Sequence, residues 1–346
     1  MTSTAAPAGA SVNRQWRLAA RPKGLPVATD WEFRSEPVPE PAEGEFLVRV
    51  LDISLDPAMR GWMNDGRSYV PPVGIGEVMR AGGVGRVVAS RHPDFKVGEH
   101  LVGTFGVQDY ALSDGRGVTR AGDAGPLEHS LSALGMPGMT AYFGLLEIGR
   151  PLAGETVVVS AAAGAVGQLV GQIAKIKGCR VVGIAGGAEK CRFIVDELGF
   201  DAAVDYKNED VRAALRERCP DRVDVYFDNV GGEILDIVLT RLARHARIVL
   251  CGSISQYNNE GPPRGPSNYM ALLVDRARME GFVVFDYAKR YAEAAREMAG
   301  WIAAEGRLKS LEHVVPGIER FPETLLKLYS GENFGKLILR VGDATA

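Results

Sequence analysis

Two hydrophobic patterns divide the chain. Before Leu134 the apolar runs are short and interleaved with polar positions, as in Glu45-Phe46-Leu47-Val48-Arg49-Val50 and Gly85-Arg86-Val87-Val88-Ala89, with Gly, Pro and Asp between them. That pattern predicts a compact, mostly β domain. From Leu134 onward, apolar strand-like runs alternate with helical stretches, and Thr156–Ser160, Arg180–Ile184, Ala202–Asp205, Val223–Asp228, Arg247–Cys251 and Glu280–Phe285 read as strands. Six such strands with helices between them predict a doubly wound parallel sheet, an α/β fold. A helix around Tyr291–Glu305 closes that unit, and Leu311–Arg340 returns to the first. The domains expected are 1–132 with 311–346, and 133–310.

The most informative run is Val157-Val158-Val159-Ser160-Ala161-Ala162-Ala163-Gly164-Ala165-Val166-Gly167, where a buried strand turns through small residues into an apolar helix expected over Ala165–Lys177. This is the layout of a dinucleotide phosphate site: Gly164 lets the backbone approach a pyrophosphate, Gly167 allows close helix–strand packing, and free amides at the helix start face the anion. Ala162 occupies the usual first-glycine position, and a tight strand–helix turn of some other α/β protein is the plainer reading. The next strand weighs against that plainer reading. It ends in Ala185-Gly186-Gly187, where an NAD enzyme normally carries an Asp or Glu for the ribose hydroxyls, and Lys190 and Arg192 follow. Small residues leave room for a 2′-phosphate and a lysine neutralises it, so NADPH is favoured over NADH. The alternative for Lys190 is an ordinary solvated helix residue.

Composition narrows the class. A chain of 346 residues with 46% apolar residues, 42 glycines and a formal net charge of −3 suits two globular domains and offers no basic footprint for nucleic acid. No apolar run is long enough to cross a bilayer. The small, polar Met1–Val12 segment reads as a disordered lead-in without signal-peptide character, so a cytoplasmic location is expected. Cys179, Cys191, Cys219 and Cys251 all fall in the second domain without metal-ligand spacing, which suits free thiols rather than structural zinc. Cys251 ends a strand at the expected cofactor edge, where a small packing role is the simpler reading.

Several blocks together resemble the medium-chain dehydrogenase/reductase superfamily, and within it the zinc-independent NADPH-dependent alkenal/one reductases, the group of prostaglandin reductases, plant double-bond reductases and bacterial curcumin reductase. They are Ser54-Leu55-Asp56-Pro57-Ala58-Met59-Arg60-Gly61, Leu134-Gly135-Met136-Pro137-Gly138-Met139-Thr140-Ala141-Tyr142, Ala161–Gly167, Gly186-Gly187-Ala188-Glu189-Lys190, Asp228-Asn229-Val230-Gly231-Gly232 and Glu332-Asn333-Phe334-Gly335-Lys336. The resemblance spans nearly the whole chain and implies a GroES-like catalytic domain beside a Rossmann NADP-binding domain. It implies that Gly164, Ala165, Val166 and Gly167 meet the pyrophosphate, Lys190 and Tyr206 the 2′-phosphate end, and Asn229 the nicotinamide ribose or diphosphate, with Asn333 reaching the cofactor from the returning segment. Cys251, Gly252, Ser253, Phe282, Val283 and Val284 would sit at strand ends beside the nicotinamide. Where zinc-dependent relatives place an early cysteine and a later Gly-His-Glu, this chain has Asp56 and Gly76-Glu77-Val78, so no metal is expected. His100 reads as a surface-turn residue, and Arg60 as a structural one pairing locally with a carboxylate or carbonyl.

The activity implied is hydride conjugate addition to an α,β-unsaturated ketone or aldehyde, with Tyr257 steadying the enolate or acting as an aromatic lid, and Tyr69 lining the substrate side or merely packing. Ala58 replaces a tyrosine common in the group, which leaves curcumin itself open as substrate. Two alternatives stand beside this: a quinone reductase of the same superfamily, and a non-catalytic NADPH-binding sensor. A homodimer is what the resemblance implies.

Overall fold

In the nucleotide-type half, neighbouring residues on each strand alternate between two cores. Val157 and Val159 join one core and Val158 the other; Phe227 and Val225 face the first, Tyr226 the second. Strands buried on both faces need apolar residues at every position, which is why their sequence runs are continuous. The structure, a computed structural model, describes residues 12–122, 125–304 and 306–342. Apart from Val12, the lead-in lies outside those residues, as does Glu305.

The chain packs as two units. The second comprises Ser132–Glu312 with Asn333–Lys336; the first holds the described residues through Leu131, His313–Glu332, and those from Leu337 onward. In chain order the first unit begins with β1 (Val12–Leu18), β2 (Trp31–Pro37), β3 (Phe46–Ser54), β4 (Gly82–Ser90), β5 (His100–Thr104), β6 (Tyr110–Ser113) and β7 (Thr119–Arg120). The second supplies β8 (Thr156–Ser160), β9 (Arg180–Ala185), β10 (Ala202–Asp205), β11 (Val223–Asp228), β12 (Leu242–Leu250) and β13 (Arg278–Gly281). Strands β14 (Glu312–Pro316) and β15 (Lys336–Arg340) follow.

In the first unit β1 and β2 form an antiparallel ribbon, and the larger sheet runs β14-β15-β3-β4-β5-β7 with β6 also on β3. The late strand β15 is pinned to β3 by charge as well as by its ladder: Arg340 stands opposite Asp52, donates to it at 2.9 Å, and also pairs with Glu128. Arg60 is buried and spends its guanidinium on the carbonyls of Gly24 and Pro22, each at 3.0 Å, and on Asn64. That is the local structural role its sequence context suggests. His100 departs from expectation, because it opens β5 opposite Arg86 instead of lying in a turn.

The second unit has strand order β10-β9-β8-β11-β12-β13. Every pair recorded in it is parallel. This is the doubly wound sheet that the alternation of elements predicts. β9 runs one residue past its expected end, to Ala185, and two strands differ more. β12 starts at Leu242, five residues early, and β13 covers Arg278–Gly281 where Glu280–Phe285 was expected. Beyond Gly281 the chain turns, and a 3-10 segment over Val284–Arg290 takes Val284 and Phe285 from the expected strand.

The helix after β8 spans Gly167–Ile176 and is buried from Gly167 through Ala174, including Gln168 and Gln172. Two amides on a buried face need partners. They find them in the backbone of the returning chain: Gln168 exchanges hydrogen bonds with Leu311, and Gln172 with Lys309. The helix Met136–Phe143 packs as closely, since a Cβ added to Gly138 would come within 1.8 Å of the Ala133 carbonyl oxygen. Gly138→Ala should therefore cost about 1–3 kcal/mol or more, because the obstacle is backbone and cannot rotate away. Urea unfolding checks this, and an unchanged midpoint would show that the helix can shift.

Candidate functional site

The turn between β8 and its helix is built on backbone contact. Ala161 takes the left-handed conformation at φ 49°, and its carbonyl accepts the Gly164 amide at 2.9 Å. A Cβ at Gly167 would meet that same oxygen at 2.3 Å, and one at Gly164 would stand 3.1 Å from it. The residue that needs a positive φ is thus Ala161, a cost of about 1–3 kcal/mol for a non-glycine, whereas Gly164 and Gly167 are there for close approach. The helix begins at Gly167, two residues later than the sequence reading, and just before it Gly164 forms an isolated bridge with Gly335. Ala165 and Val166 lead into the helix that Gly167 opens, and amides at a helix start lack intrahelical partners. They form a fitting seat for a phosphate.

The returning segment closes one side of this turn. The Gly335 amide donates to Ala163 at 2.8 Å, and the Asn333 amide group donates to Gly335 at 3.2 Å. Gly335 holds a positive φ of 57°, and a Cβ there would lie 1.9 Å from the Leu311 carbonyl oxygen.

At the end of β9, Tyr206 and Lys207 lie directly over Gly186, whose added Cβ would meet the Tyr206 hydroxyl at 2.9 Å and Lys207 Cε at 3.0 Å. Lys190 Nζ sits 5.1 Å from the centre of the Phe334 ring. Burial lowers its pKa, and the Lys207 charge lowers it further. A carboxylate is close by, but it is spent: Asp205 accepts the Gly187 amide at 2.8 Å, the Lys207 amide at 3.0 Å and the Asn208 side chain at 2.8 Å. The open chemistry at this strand end is cationic, which fits a phosphate rather than ribose hydroxyls alone. Lys207 was missed in the sequence, although its place just after the end of β10 and beside Tyr206 was the available signal.

The ends of β8, β11 and β12 are tied together by one buried acid. Asp228 Oδ1 accepts from the Tyr226 hydroxyl at 2.8 Å, the Ser160 hydroxyl at 3.1 Å, and the amides of Val230 and Gly231 at 3.0 and 2.9 Å. Burial raises this carboxyl above the ordinary range, against the lowering by those amides. Ser160 in turn holds Asn229: its hydroxyl accepts the Asn229 amide at 2.9 Å and its carbonyl the Asn229 side chain at 2.7 Å. The amides of Cys251 and Gly252 both donate to the Asp228 carbonyl, and the Ser253 amide donates to the Tyr257 hydroxyl at 3.1 Å. The amides of 251–253 are therefore engaged, leaving carbonyls as the backbone groups a carboxamide could meet here. The Cys251 thiol is pushed up to about 12 by burial and by the Asp228 charge, which makes it unreactive and suits packing.

Phe282 follows the end of β13 and packs its ring against Gly144, while the Val284 carbonyl accepts the Tyr291 hydroxyl at 2.9 Å. Val283 lies between them at the start of the 3-10 segment. Within the second unit the structure thus gathers Gly164–Gly167, Asn333 and Gly335 at one turn, Lys190, Tyr206 and Lys207 at the neighbouring strand end, and Asn229, Cys251–Ser253 and Tyr257 at a third place. Tyr69 belongs to the first unit, where its side chain is exposed. Among the described residues no group of three or more His, Cys, Asp or Glu side chains could hold a metal ion.

Residues 14–121 match the family described as the N-terminal domain of oxidoreductase, and 165–300 the family described as zinc-binding dehydrogenase. An NADPH-dependent curcumin reductase of Escherichia coli K12 is 47% identical over 336 residues, covering 95% of this chain and 97% of its own. A tobacco NADP-dependent 2-alkenal reductase is 41% identical over 95% of this chain and 97% of its own. The crystal structure of CurA from Vibrio vulnificus in complex with NADPH superposes with a TM-score of 0.91 at 47% identity, over 95% of this chain and 99% of that one.

Replacing Asp228 by Ala removes the acceptor of four donors, and at about 1–3 kcal/mol for each buried group left unpaired, the total should reach at least about 4 kcal/mol. Because the folded carboxyl is raised, its contribution is full below its unfolded pKa and fades as pH rises through the folded one. Denaturant unfolding at several pH values should show both the loss and the absence of that slope in the variant. A loss under about 1 kcal/mol would mean that water substitutes for the carboxylate.

Proposed function

We propose, from the premise that this chain belongs to the alkenal/one reductase group of the medium-chain dehydrogenase/reductase superfamily, that it is an NADPH-dependent oxidoreductase reducing the C=C bond of α,β-unsaturated ketones and aldehydes. The observation that carries the cofactor choice is the strand end after β9, where Tyr206 and Lys207 lie over Gly186, Lys190 is near enough to feel the Lys207 charge, and Asp205 is consumed by backbone amides. The relatives named above, a curcumin reductase and an alkenal reductase, support the alkene reading over the quinone one.

When bound, NADPH supplies a hydride to the alkene carbon β to the carbonyl. The chain has to orient the reactants and steady the charge that moves to the carbonyl oxygen. The amides opening the helix at Ala165–Gly167, beside Gly164, hold the pyrophosphate; Lys190 and Tyr206 hold the 2′-phosphate; Asn229, fixed by Ser160, and Asn333 hold the ribose and diphosphate. Cys251, Gly252, Ser253, Phe282, Val283 and Val284 line the nicotinamide. The Tyr257 hydroxyl already accepts from the Ser253 amide, an arrangement that polarises its O–H for donation to an enolate oxygen, and the α-carbon takes its proton from water. Tyr69 stays a candidate for the substrate side. The reaction is read as zinc-independent because no cysteine precedes Cys179, and a reducing, cytoplasmic setting suits four free thiols.

A homodimer is the assembly supported best. Strand β13 is an edge of its sheet, Arg278 and Glu280 alternate along it, and Leu273 and Val274 just before it are 70% and 64% exposed. Antiparallel pairing with a second copy about Met279 sets each Arg278 opposite a Glu280. Light scattering should give twice the chain mass, and Leu273→Glu should shift it toward the monomer; a wild-type monomer at micromolar concentration sinks the idea.

NADPH consumption with an enone, an enal, a quinone and a saturated ketone, with a chelator present and products weighed by mass spectrometry, tests the activity. Saturated ketone from the enone is expected. Quinone-only turnover would favour the quinone reductase, and tight NADPH binding without turnover the sensor. Tyr257→Phe should lower kcat about 10-fold to 100-fold with NADPH affinity nearly unchanged, and an unaltered kcat removes the hydroxyl from the mechanism.

A further inference from the structure

Phe334 has no place in the assignments above, yet it touches one of the residues they name. Its ring faces Lys190 Nζ at 5.1 Å and meets Phe193 edge-on, with centroids 5.9 Å apart and planes at 77°. The next residue, Gly335, clamps this stretch of chain to the phosphate turn through Ala163. Lys190 is partly dehydrated and feels the like charge of Lys207, and both effects disfavour its ammonium form. An aromatic face attracts an ammonium group, and the attraction grows as water is removed. Phe193 and the Gly335 clamp keep that face turned toward Lys190.

We infer that Phe334 is a positioning residue for cofactor selection: its ring helps hold the Lys190 ammonium charged and in place before a 2′-phosphate arrives, and so raises the preference for NADPH over NADH. The inference rests on Lys190 being the 2′-phosphate ligand. Without the ring, the long lysine side chain loses one of the contacts that order it, and the part of that order restored on binding weakens only the ligand that uses the lysine. NADH carries no 2′-phosphate, so its affinity reports the fold of the site and nothing of this contact.

The experiment is equilibrium titration of the full chain with NADPH and with NADH, followed by nicotinamide fluorescence or calorimetry, for wild type, Phe334→Leu, Phe334→Tyr and Lys190→Ala. Phe334→Leu should weaken NADPH about five- to tenfold, in line with a partly desolvated cation–π contact, and leave the NADH Kd unchanged. Phe334→Tyr, which keeps the ring, should stay near wild type. In the Lys190→Ala background the leucine substitution should add nothing. If Phe334→Leu does not fold, Phe334→Met is the second ringless variant. Equal loss for both cofactors would reduce Phe334 to a structural part of the clamp and overturn the inference. An unchanged NADPH Kd in Phe334→Leu, with a large loss in Lys190→Ala, would overturn it while the phosphate reading stands. No loss in Lys190→Ala would remove both.

Discussion

The Ala161 carbonyl lies where side chains on the helix that follows would have to pass. It accepts the Gly164 amide and leaves no room for a Cβ on Gly167, so the path of the turn is fixed by what two residues lack. From that path follow the direction of the helix, the exposure of its first amides, and the slot into which Gly335 inserts to reach Ala163. Gly335 repeats the same logic against Leu311, with a positive φ and no space for a methyl group. Three backbone segments distant in sequence therefore touch directly at the turn proposed to hold the diphosphate. Close backbone contact is rigid, and a rigid set of amides loses little freedom when an anion binds.

A second layer of order comes from polar groups inside the sheet. Asp228 gathers donors from its own strand, from β8 and from the turn it begins, and the Ser160 hydroxyl passes this order on to Asn229. Gln168 and Gln172 do the same on the helix, binding the backbone of the returning chain. These groups cost free energy to bury and recover it only when every partner is present, so they favour one arrangement over near alternatives.

The fold was legible where composition alone decides structure. Thr156–Ser160, Ala202–Asp205 and Val223–Asp228 match the structure because each carries an apolar core, Val157–Val159, Ala202–Val204 and Val225–Phe227, ending at a polar residue. β13 was misplaced because Phe282, Val283, Val284 and Phe285 have strand character, and it is the packing of Phe282 on Gly144 that turns the chain away. At the phosphate turn the glycines were readable, but the strain on Ala161 was not, since nothing in an Ala-Ala-Ala run marks which residue will go left-handed. At the end of β9 the absence of a local acid was correctly read. The nearby Asp205 was not weighed, because a carboxylate's effect depends on which amides it serves, and Gly187 and Lys207 are set against it only by folding. Phe334 was visible within its motif, but its partnership with Lys190 spans 144 positions and leaves no periodic trace.

The segment Asn333–Lys336 carries one more consequence, for synthesis. It belongs to the nucleotide unit, while the residues on either side of it belong to the other. At roughly 5–20 residues per second, Gly335 leaves the ribosome on the order of ten to thirty seconds after Gly164. In the last part of that interval, once Gly281 has been made, the newborn chain holds the turn, the helix and the strands of the parallel sheet without the clasp that joins Ala163 to Leu311. A nascent chain paused there would present Gln168 and Gly164 to solvent or to chaperones, and the site would be finished by translation rather than by local folding.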